Sequence, residues 1–334
     1  MTIQSCSVEI LDKIFEEMAH SDPENTQATL FSLMSTCSHF HTIAKRHFIR
    51  IVCLPNAAKV NAFGGYLKQV VGSGDYGNSL LPIQHLAVAG EYRIRLGLIT
   101  PNHSDAEIEA GKFAPFIIST AAPSLLSLAI FGMDTDFGPT SDDVSHHTML
   151  CVPNETSFPK LRDLIALEQH VIHLVLRDHN GNPDKRACQL RYPILRRLYI
   201  PGYGGSALSS TLPYLDDLRL EILDVTCSCP PQDEVGHVRS LIIDAPEYIT
   251  TTSSCFLDDS QALDEHSTMI SECQTLVNGV GNPERSGVVI PLLGFTRCTG
   301  RDRILSGWAD AVVGGTGCWT TAWVPTFQLI GKIV

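Results

Sequence analysis

The chain has 334 residues, a formal net charge of −12 and a sequence pI of about 5.5. This length is enough for two domains with a sizeable core, and the acidic balance disfavours nucleic acid as a partner. The 11 cysteines are odd in number and scattered, and the first residues lack the charged-then-apolar pattern of a signal peptide. We therefore expect reduced thiols and a location in the cytoplasm or nucleus, with no membrane association.

A first helix is predicted over residues 8–18. Ser7 can serve as its N-cap, and acidic residues follow in the first turn, where the helix dipole favours negative charge. Apolar residues recur at helical spacing along the segment. They are Val8, Ile10, Leu11, Ile14, Phe15 and Met18.

Two further helices are predicted before residue 50. Asp22-Pro23 is a start signal for the second, because Asp caps a helix N-terminus and proline fits its first position. The apolar residues of the second helix are Leu30, Leu33, Met34 and Cys37, and those of the third are Phe40, Ile43, Ala44 and Phe48. A bundle this small has little core of its own and gains stability by docking on something else.

The order and spacing of these residues resemble the F-box, a short helical motif that binds the Skp1 adaptor. Glu9 to Met18 is similar to the first part of the motif, Leu33 to Phe40 to the second, and Phe48 to Arg50 to the closing element. The motif usually begins with Leu-Pro, where this chain has Cys6-Ser7. The alternative is an ordinary helical hairpin that packs on the rest of the chain.

The F-box resemblance implies a set of adaptor contacts and a function. The Skp1-binding residues would be Ile10, Leu11, Ile14, Phe15, Met18, Leu33 and Phe40. Through Skp1 the chain would join a cullin–RING ubiquitin ligase as its substrate-recognition adaptor. It would be a non-catalytic subunit with no cofactor.

From about residue 80 a short sequence pattern recurs, here called the recurring phrase. It consists of an apolar residue, any two residues, leucine, any one residue and then an aliphatic residue. Its alternation predicts a short strand with one buried face. The central leucines are Leu86, Leu128, Leu164, Leu174, Leu198, Leu218 and Leu241. Proline precedes several copies and suits the start of a strand, where no ladder donor is lost.

The spacing of the phrase resembles a degenerate leucine-rich-repeat array of the kind that follows many F-boxes, notably in fungi. The last intervals are 24, 20 and 23 residues, within the leucine-rich-repeat range of about 20–29 residues. Earlier intervals are longer and require insertions. An unrelated α/β domain with several parallel strands is the alternative.

A repeat array of this kind would line a surface with short parallel strands and hold a protein partner there. The speculative substrate-binding residues, which flank the strand leucines, are Arg196, Tyr199 and Arg219. Tyrosine and arginine are frequent energetic anchors at interfaces. The same charges are also explained by the need to keep an exposed sheet face soluble.

The sequence offers little chemistry. Asp142-Asp143 and His146-His147 have metal-ligand side chains, but a polar loop explains them better than a site. Cys227-Ser-Cys229 lacks the second pair that zinc needs. No nucleophile and base can be combined from the sequence, so we predict no catalytic residue and no metal.

The last part of the chain changes composition. Serine, threonine and acidic residues dominate up to Glu272, and Asp310 is the only charge between Ile304 and Ile330. Glycines, threonines and Pro325 interrupt that apolar stretch, so a membrane span is rejected. We predict an irregular or poorly ordered segment over 251–334; a cap on the array and translated non-coding sequence are alternatives.

These observations predict an α/β chain, α+β overall, in which a three-helix F-box-like bundle precedes an irregular leucine-rich-repeat-like array with short parallel strands. The predicted divisions are 5–52 for the helical domain, 53–80 for a linker, 81–250 for the array and 251–334 for the C-terminal segment. The predicted partners are a Skp1-like adaptor and an unknown protein substrate. A leucine-rich interaction module that acts outside any ligase is the alternative function.

Overall fold

A computed structural model provides the structure. It describes residues 7–21, 29–30, 32–73, 83–89, 92–93, 105–131, 147–148, 152–167, 184–203, 215–222, 229–230, 232–235, 238–246, 259–278, 286–292, 300–312 and 315–320.

Helices open the described part of the chain. Helix α1 spans Val8–Ser21 and helix α2 spans Ser38–Phe48, with helical residues between them at 29–30 and 32–34. The sulfur of Cys37 caps α2 by accepting a hydrogen bond from the amide nitrogen of Phe40 at 3.5 Å. The first and third helices predicted from apolar spacing are therefore confirmed, whereas the start signal Asp22-Pro23 lies outside the described residues.

Strands and helices alternate after α2. In chain order the elements are β1 (Ile51–Leu54), α3 (Ala57–Ser73), β2 (His85–Ala89), β3 (Tyr92–Arg93), α4 (Asp105–Ala121), β4 (Ser127–Phe131), β5 (His147–Thr148), β6 (Asp163–Ala166), α5 (Lys185–Arg191), β7 (Arg197–Tyr203), β8 (Asp217–Ile222), α6 (Gln232–Val235), β9 (Ser240–Pro246), α7 (Asp259–Asn278), β10 (Ser286–Leu292), α8 (Gly300–Val312) and a 3₁₀ turn at Gly317–Trp319.

Among the described residues, eight of these strands form one parallel sheet in the order β1-β2-β4-β6-β7-β8-β9-β10. The order follows the chain, so each crossover moves to the neighbouring position. The strands β3 and β5 form a separate antiparallel pair. The predicted α/β class and short parallel strands are confirmed; the finer arrangement of an F-box bundle with leucine-rich repeats stays a prediction.

The register of the sheet places the leucines of the recurring phrase side by side. Adjacent strands pair these leucines directly, which builds one continuous row across the sheet. Its members are Leu86, Leu128, Leu164, Leu198, Leu218 and Leu241. The remaining copy of the phrase, around Leu174, lies outside the described residues.

A repeated main-chain contact sets this register at the start of each strand. The carbonyl of the residue before a strand accepts hydrogen bonds from two successive amides at the start of the next. Arg50 is bonded in this way by Gln84 and His85 at 2.9 and 3.0 Å. The same bifurcated contact recurs at the carbonyls of Gln84, Leu126, Arg162, Arg196 and Asp216. The strands therefore begin in phase across most of the sheet.

The sheet face that carries the leucine row, here called the leucine face, forms the main apolar core. Residues of α3, α4 and α7 pack against it, including Leu67, Ile117 and Leu276. The leucine row itself is at most 4% exposed. Burial of this continuous apolar surface stabilises the fold.

The opposite sheet face, here called the α8 face, packs against helix α8. The helix contributes Ile304, Leu305 and Trp308, which are all buried. On the sheet side, Ala87 and Ala129 are small enough for the helix to approach closely. Because α8 also contacts strands β2, β4, β6 and β7, it covers the middle of the sheet.

Two predicted divisions differ from the structure. The region 53–80, expected to be a linker, contains the end of β1 and all of α3. The described residues of 251–334, expected to be irregular, form α7, strand β10, helix α8 and the 3₁₀ turn. Although most residues of α7 are polar, apolar residues recur at helical spacing along one side of it. They are Met269, Cys273, Leu276 and Val277, which enter the main core.

Cys229 and Cys273 form a disulfide that joins the segment before α6 to helix α7. The expectation of reduced thiols is therefore wrong for this pair. Its Cα atoms are 6.0 Å apart, which is within the usual range for a bridge. Of the remaining described cysteines, Cys37 and Cys318 are free thiols.

Reduction of this disulfide is expected to destabilise the chain. The bridge spans 44 residues, and closing a loop of that size in the unfolded chain is worth about 4 kcal/mol on the chain-entropy estimate. Urea unfolding followed by circular dichroism, with and without a thiol reductant, measures the difference. A Cys229→Ser variant is the control, because a reductant effect of equal size in that variant would contradict an origin in this bridge.

Gly64 allows helices α3 and α4 to approach each other closely. A Cβ atom there would lie 2.8 Å from the Phe113 Cβ, whereas one at Gly65 would have no neighbour within 4 Å. We expect Gly64→Ala to destabilise the fold by about 1–3 kcal/mol through overpacking. Gly65→Ala, the matched control, is expected to be neutral or to stabilise by up to about 1 kcal/mol. Equal free energies of unfolding for the two variants would contradict the close packing.

Candidate functional site

The N-terminal helices form a small apolar cluster of their own. Leu11 and Phe15 of α1 are 1% and 3% exposed and pack against Phe40 and Ile43 of α2. The rings of Phe15 and Phe40 meet edge to face, with centroids 5.9 Å apart, which is a favoured aromatic geometry. Met18 and Leu33 are half-buried at the margin of this cluster.

This packing divides the residues that the F-box resemblance assigns to adaptor contact. Leu11, Phe15 and Phe40 lie inside the cluster, so their predicted role in direct contact differs from what the structure shows. The apolar side of α1 is wider than the area that contacts α2, so only the residues at the centre of that side are buried. Ile10 and Ile14, one helical turn apart, are 53% and 43% exposed.

Polar contacts hold α1 in place relative to the sheet. The imidazole of His47 on α2 lies 2.8 Å from Asp12 of α1. The guanidinium of Arg50 bridges Glu16 of α1, at 2.8 Å, and the side chain of Gln84 before β2, at 2.6 Å. Through Arg50, the Glu16 side of α1 is therefore linked to the residues that precede β1 and β2.

The second group of polar side chains lies on the α8 face. The guanidinium of Arg219 on β8 makes two hydrogen bonds to the carboxylate of Asp244 on β9, at 2.6 and 2.7 Å. Its remaining nitrogen donates to the carbonyls of Cys318, at 2.7 Å, and Thr320, at 3.2 Å. A buried arginine thus links the sheet to the segment that follows α8.

A second arginine acts on the same segment. Arg197 on β7 pairs with Asp163 on β6, its Nη2 lying 2.7 Å from Oδ2. Its guanidinium also stacks over the ring of Trp319, 5.1 Å from the ring centroid, which is a cation–π contact. Arg219 therefore binds the backbone of residues 318–320, and Arg197 contacts the indole of Trp319.

Burial alters the acidity of two groups beside Arg219. Burial, followed by the charge of Glu221, raises the pKa of the Tyr199 hydroxyl well above its usual value. The hydroxyl therefore stays protonated and donates a hydrogen bond to Glu221 at 2.8 Å. Burial also raises the pKa of the Cys318 thiol, which keeps it in the unreactive protonated form.

The speculative substrate-binding residues separate into two groups. Arg196 is on the surface and makes an exposed ion pair with Asp216 at 3.8 Å. Tyr199 and Arg219 are 1% and 4% exposed, so the expectation that they lie on an open surface is wrong. The reason is that α8 and the 3₁₀ turn cover the sheet face to which they belong.

Sequence reasoning missed the residues that close this face. Trp308 donates from its indole nitrogen to the hydroxyl of Ser127 at 3.2 Å, and Ser127 also contacts His85 at 2.8 Å. Helical spacing of Ile304, Leu305 and Trp308 was a signal for an amphipathic helix. Ser127 is buried beneath Trp308, whereas His85 is partly exposed.

The remaining sequence candidates add no site. Asp142, Asp143 and His146 lie outside the described residues, and Cys229 is in the disulfide. In the described ranges, no cluster of three or more potential metal ligands occurs. Likewise, none of the described helices combines the length and the apolarity that crossing a bilayer requires.

Comparison with known proteins finds no relative. No protein-family model matches the chain, no curated protein is significantly similar to it, and no solved structure matches its fold.

Loss of Asp244 is expected to destabilise the chain strongly, since Arg219 would be left as an unpaired buried charge. Asp244→Ala should lower the free energy of unfolding by about 3–5 kcal/mol. Asp216→Ala removes an exposed ion pair and should cost less than about 1 kcal/mol. Urea unfolding of both variants makes the comparison, and equal losses would contradict the buried role of Asp244.

Proposed function

We propose that this protein is a substrate-recognition adaptor of a Skp1–cullin–F-box ubiquitin ligase. The helical cluster formed by α1 and α2 docks on a Skp1-like adaptor and, through it, on a cullin–RING ligase. The region built on the parallel sheet binds a protein substrate. The chain catalyses nothing itself and needs no cofactor, because it acts by holding the substrate near the enzyme that transfers ubiquitin.

The exposure of Ile10 and Ile14 is the observation that carries this proposal. Large aliphatic side chains on a helix normally face a core, yet these two face solvent within the segment that resembles the F-box. Val8, 45% exposed, extends the apolar surface along α1. An apolar helix edge of this kind favours docking on the groove of a partner protein.

Leu11, Phe15 and Phe40 contribute to docking indirectly. Their packing fixes the helix that displays Ile10 and Ile14. The contacts of Asp12 with His47 and of Glu16 with Arg50 limit rotation of α1 against α2 and the sheet. A preorganised surface binds with a smaller loss of conformational entropy.

The sheet supports the second half of the proposal. The continuous row of leucines on neighbouring parallel strands supports the proposal of a leucine-rich array, in which each unit packs only on its neighbours. In the proposed arrangement this irregular array follows the F-box bundle directly, since β1 begins at Ile51, only three residues after α2 ends at Phe48.

The proposed location is the cytoplasm or nucleus, where ubiquitin ligases of this class work. The Cys229–Cys273 disulfide counts against that location, because these compartments keep most thiols reduced. The proposal therefore requires that the chain stay folded when this bridge is reduced.

Binding to purified Skp1 tests the proposal. We expect Skp1 to retain the wild-type chain at micromolar protein. The double variant Ile10→Glu/Ile14→Glu should bind about a hundredfold more weakly, because it loses two residues that anchor the interface. These positions are better choices than Leu11 or Phe15, since charges at buried positions would disrupt the helical cluster. Biolayer interferometry measures the affinities, and circular dichroism confirms that the variants fold.

Val71→Glu is the matched control, because Val71 on α3 is an equally exposed aliphatic residue, at 54%. It should bind Skp1 like the wild type. Absence of wild-type binding at micromolar protein would refute the ligase proposal. Unchanged Skp1 binding by the Ile10→Glu/Ile14→Glu variant would show that the adaptor contact does not involve the exposed edge of α1.

A leucine-rich protein-interaction module acting outside any ligase is the second candidate function. Cys6-Ser7, in place of the usual Leu-Pro, is the observation that favours it. This candidate is supported if Skp1 is not retained while the wild-type chain is folded.

A further inference from the structure

We propose that strands β7 and β8 on the α8 face form a peptide-binding site, which the chain's own residues 317–320 occupy, and that a protein partner presenting a tryptophan in a short turn displaces them. This inference names the substrate class for the proposed receptor and rests on that function. Its peptide assay contains no Skp1, so the two proposals can fail separately.

The contacts made by residues 318–320 define the chemistry of the site. Arg219 donates to the main-chain carbonyls of Cys318 and Thr320, and carbonyls are present in any peptide. Arg197 stacks on the ring of Trp319, which only an aromatic residue can provide. The site therefore combines general recognition of a backbone with selection of one aromatic side chain.

The two sheet faces differ in a way that favours exchange at this site. The leucine face is apolar throughout its buried row. The α8 face instead places Arg219, Glu221 and Asp244 under cover, where burying charges costs desolvation energy. Arg219 can hydrogen-bond to water in place of the carbonyls of Cys318 and Thr320 when the segment leaves, which lowers the cost of opening relative to an apolar contact.

The occupying segment fits its site imperfectly. The indole nitrogen of Trp319 is buried without a hydrogen-bond partner among the described residues, and an unmade bond of this kind is costly. Gly317 has a φ of +57°, a left-handed conformation that favours glycine. Its amide nitrogen donates a hydrogen bond to the carboxylate of Asp310 at 2.6 Å. This bond stabilises the start of the turn.

Helix α8 can remain in place when residues 315–320 open. Its own apolar residues Ile304, Leu305 and Trp308 pack directly on the sheet, in addition to the contacts that α8 makes with the turn. Opening therefore uncovers Arg197 and Arg219 without exposing the whole α8 face. A peptide with the same pattern can then take the vacated contacts.

The test uses the full-length chain and a fluorescent peptide with the sequence of residues 315–322, in which Cys318→Ser prevents disulfide exchange. Gly317→Val and Asp310→Ala are two independent ways to loosen the chain's own segment. Valine at 317 is strained by the positive φ and would place its Cβ 2.9 Å from that of Ala311. Alanine at 310 removes the carboxylate that holds the Gly317 amide.

Both loosened variants should bind the peptide at least about tenfold more tightly than the wild type, because apparent affinity scales with the open fraction. The peptide with Trp319→Ala should not bind, and Arg197→Gln in the Gly317→Val background should abolish binding. Fluorescence anisotropy gives the affinities, and circular dichroism checks that each variant folds.

Alkylation of Cys318 reports opening of the segment. Tryptic cleavage gives a peptide of residues 304–332 that contains Cys318 as its only cysteine, so mass spectrometry can follow this thiol alone. Alkylation should be faster in the loosened variants, and it should rise in the wild type when millimolar peptide is added.

Three results would overturn the proposal. The first is rapid Cys318 alkylation in a loosened variant that binds the peptide no better than the wild type. The second is continued protection of Cys318 in both folded variants. The third applies if neither variant folds: a rate of Cys318 alkylation in the wild type that millimolar peptide does not change rules out displacement.

Discussion

The register of the parallel sheet is the constraint on which the rest of the structure depends. One carbonyl before each strand binds two amides of the next, so successive strands start in phase from β1 to β9. Because side chains alternate between the two faces of a strand, this phase places the six described leucines of the recurring phrase on the same face. A slip of one residue would exchange the leucine face with the α8 face.

The same register assigns the charged residues to the opposite face and so determines where function can reside. Arg197 and Arg219 project from neighbouring strands toward the segment after α8. The exposed edge of α1 lies near the other end of the chain, and Arg50 links this helix to the residue before β2. The two surfaces on which the proposals rest therefore lie on different elements of one sheet-based fold.

Features that depend on local periodicity were predictable from the sequence. The phrases around Leu86 and Leu198 marked strands, and the spacing of Leu11 and Phe15 marked a helix. Helical spacing cannot tell which part of an apolar arc a neighbouring helix covers, so the exposure of Ile10 required the structure. The burial of Arg219 was unpredictable for a related reason: its cover comes from residues 99 and 101 positions later in the chain.

The position of α8 has a consequence for synthesis on the ribosome. Strands that pair with their predecessors can add to the sheet one at a time as the chain emerges. Trp308, by contrast, reaches back 181 residues to Ser127, so the sheet face with Phe131 and Ile165 stays uncovered until almost the whole described chain has been translated. A nascent chain or a prematurely terminated product therefore displays an apolar surface, and chaperones and quality-control proteases bind surfaces of that kind.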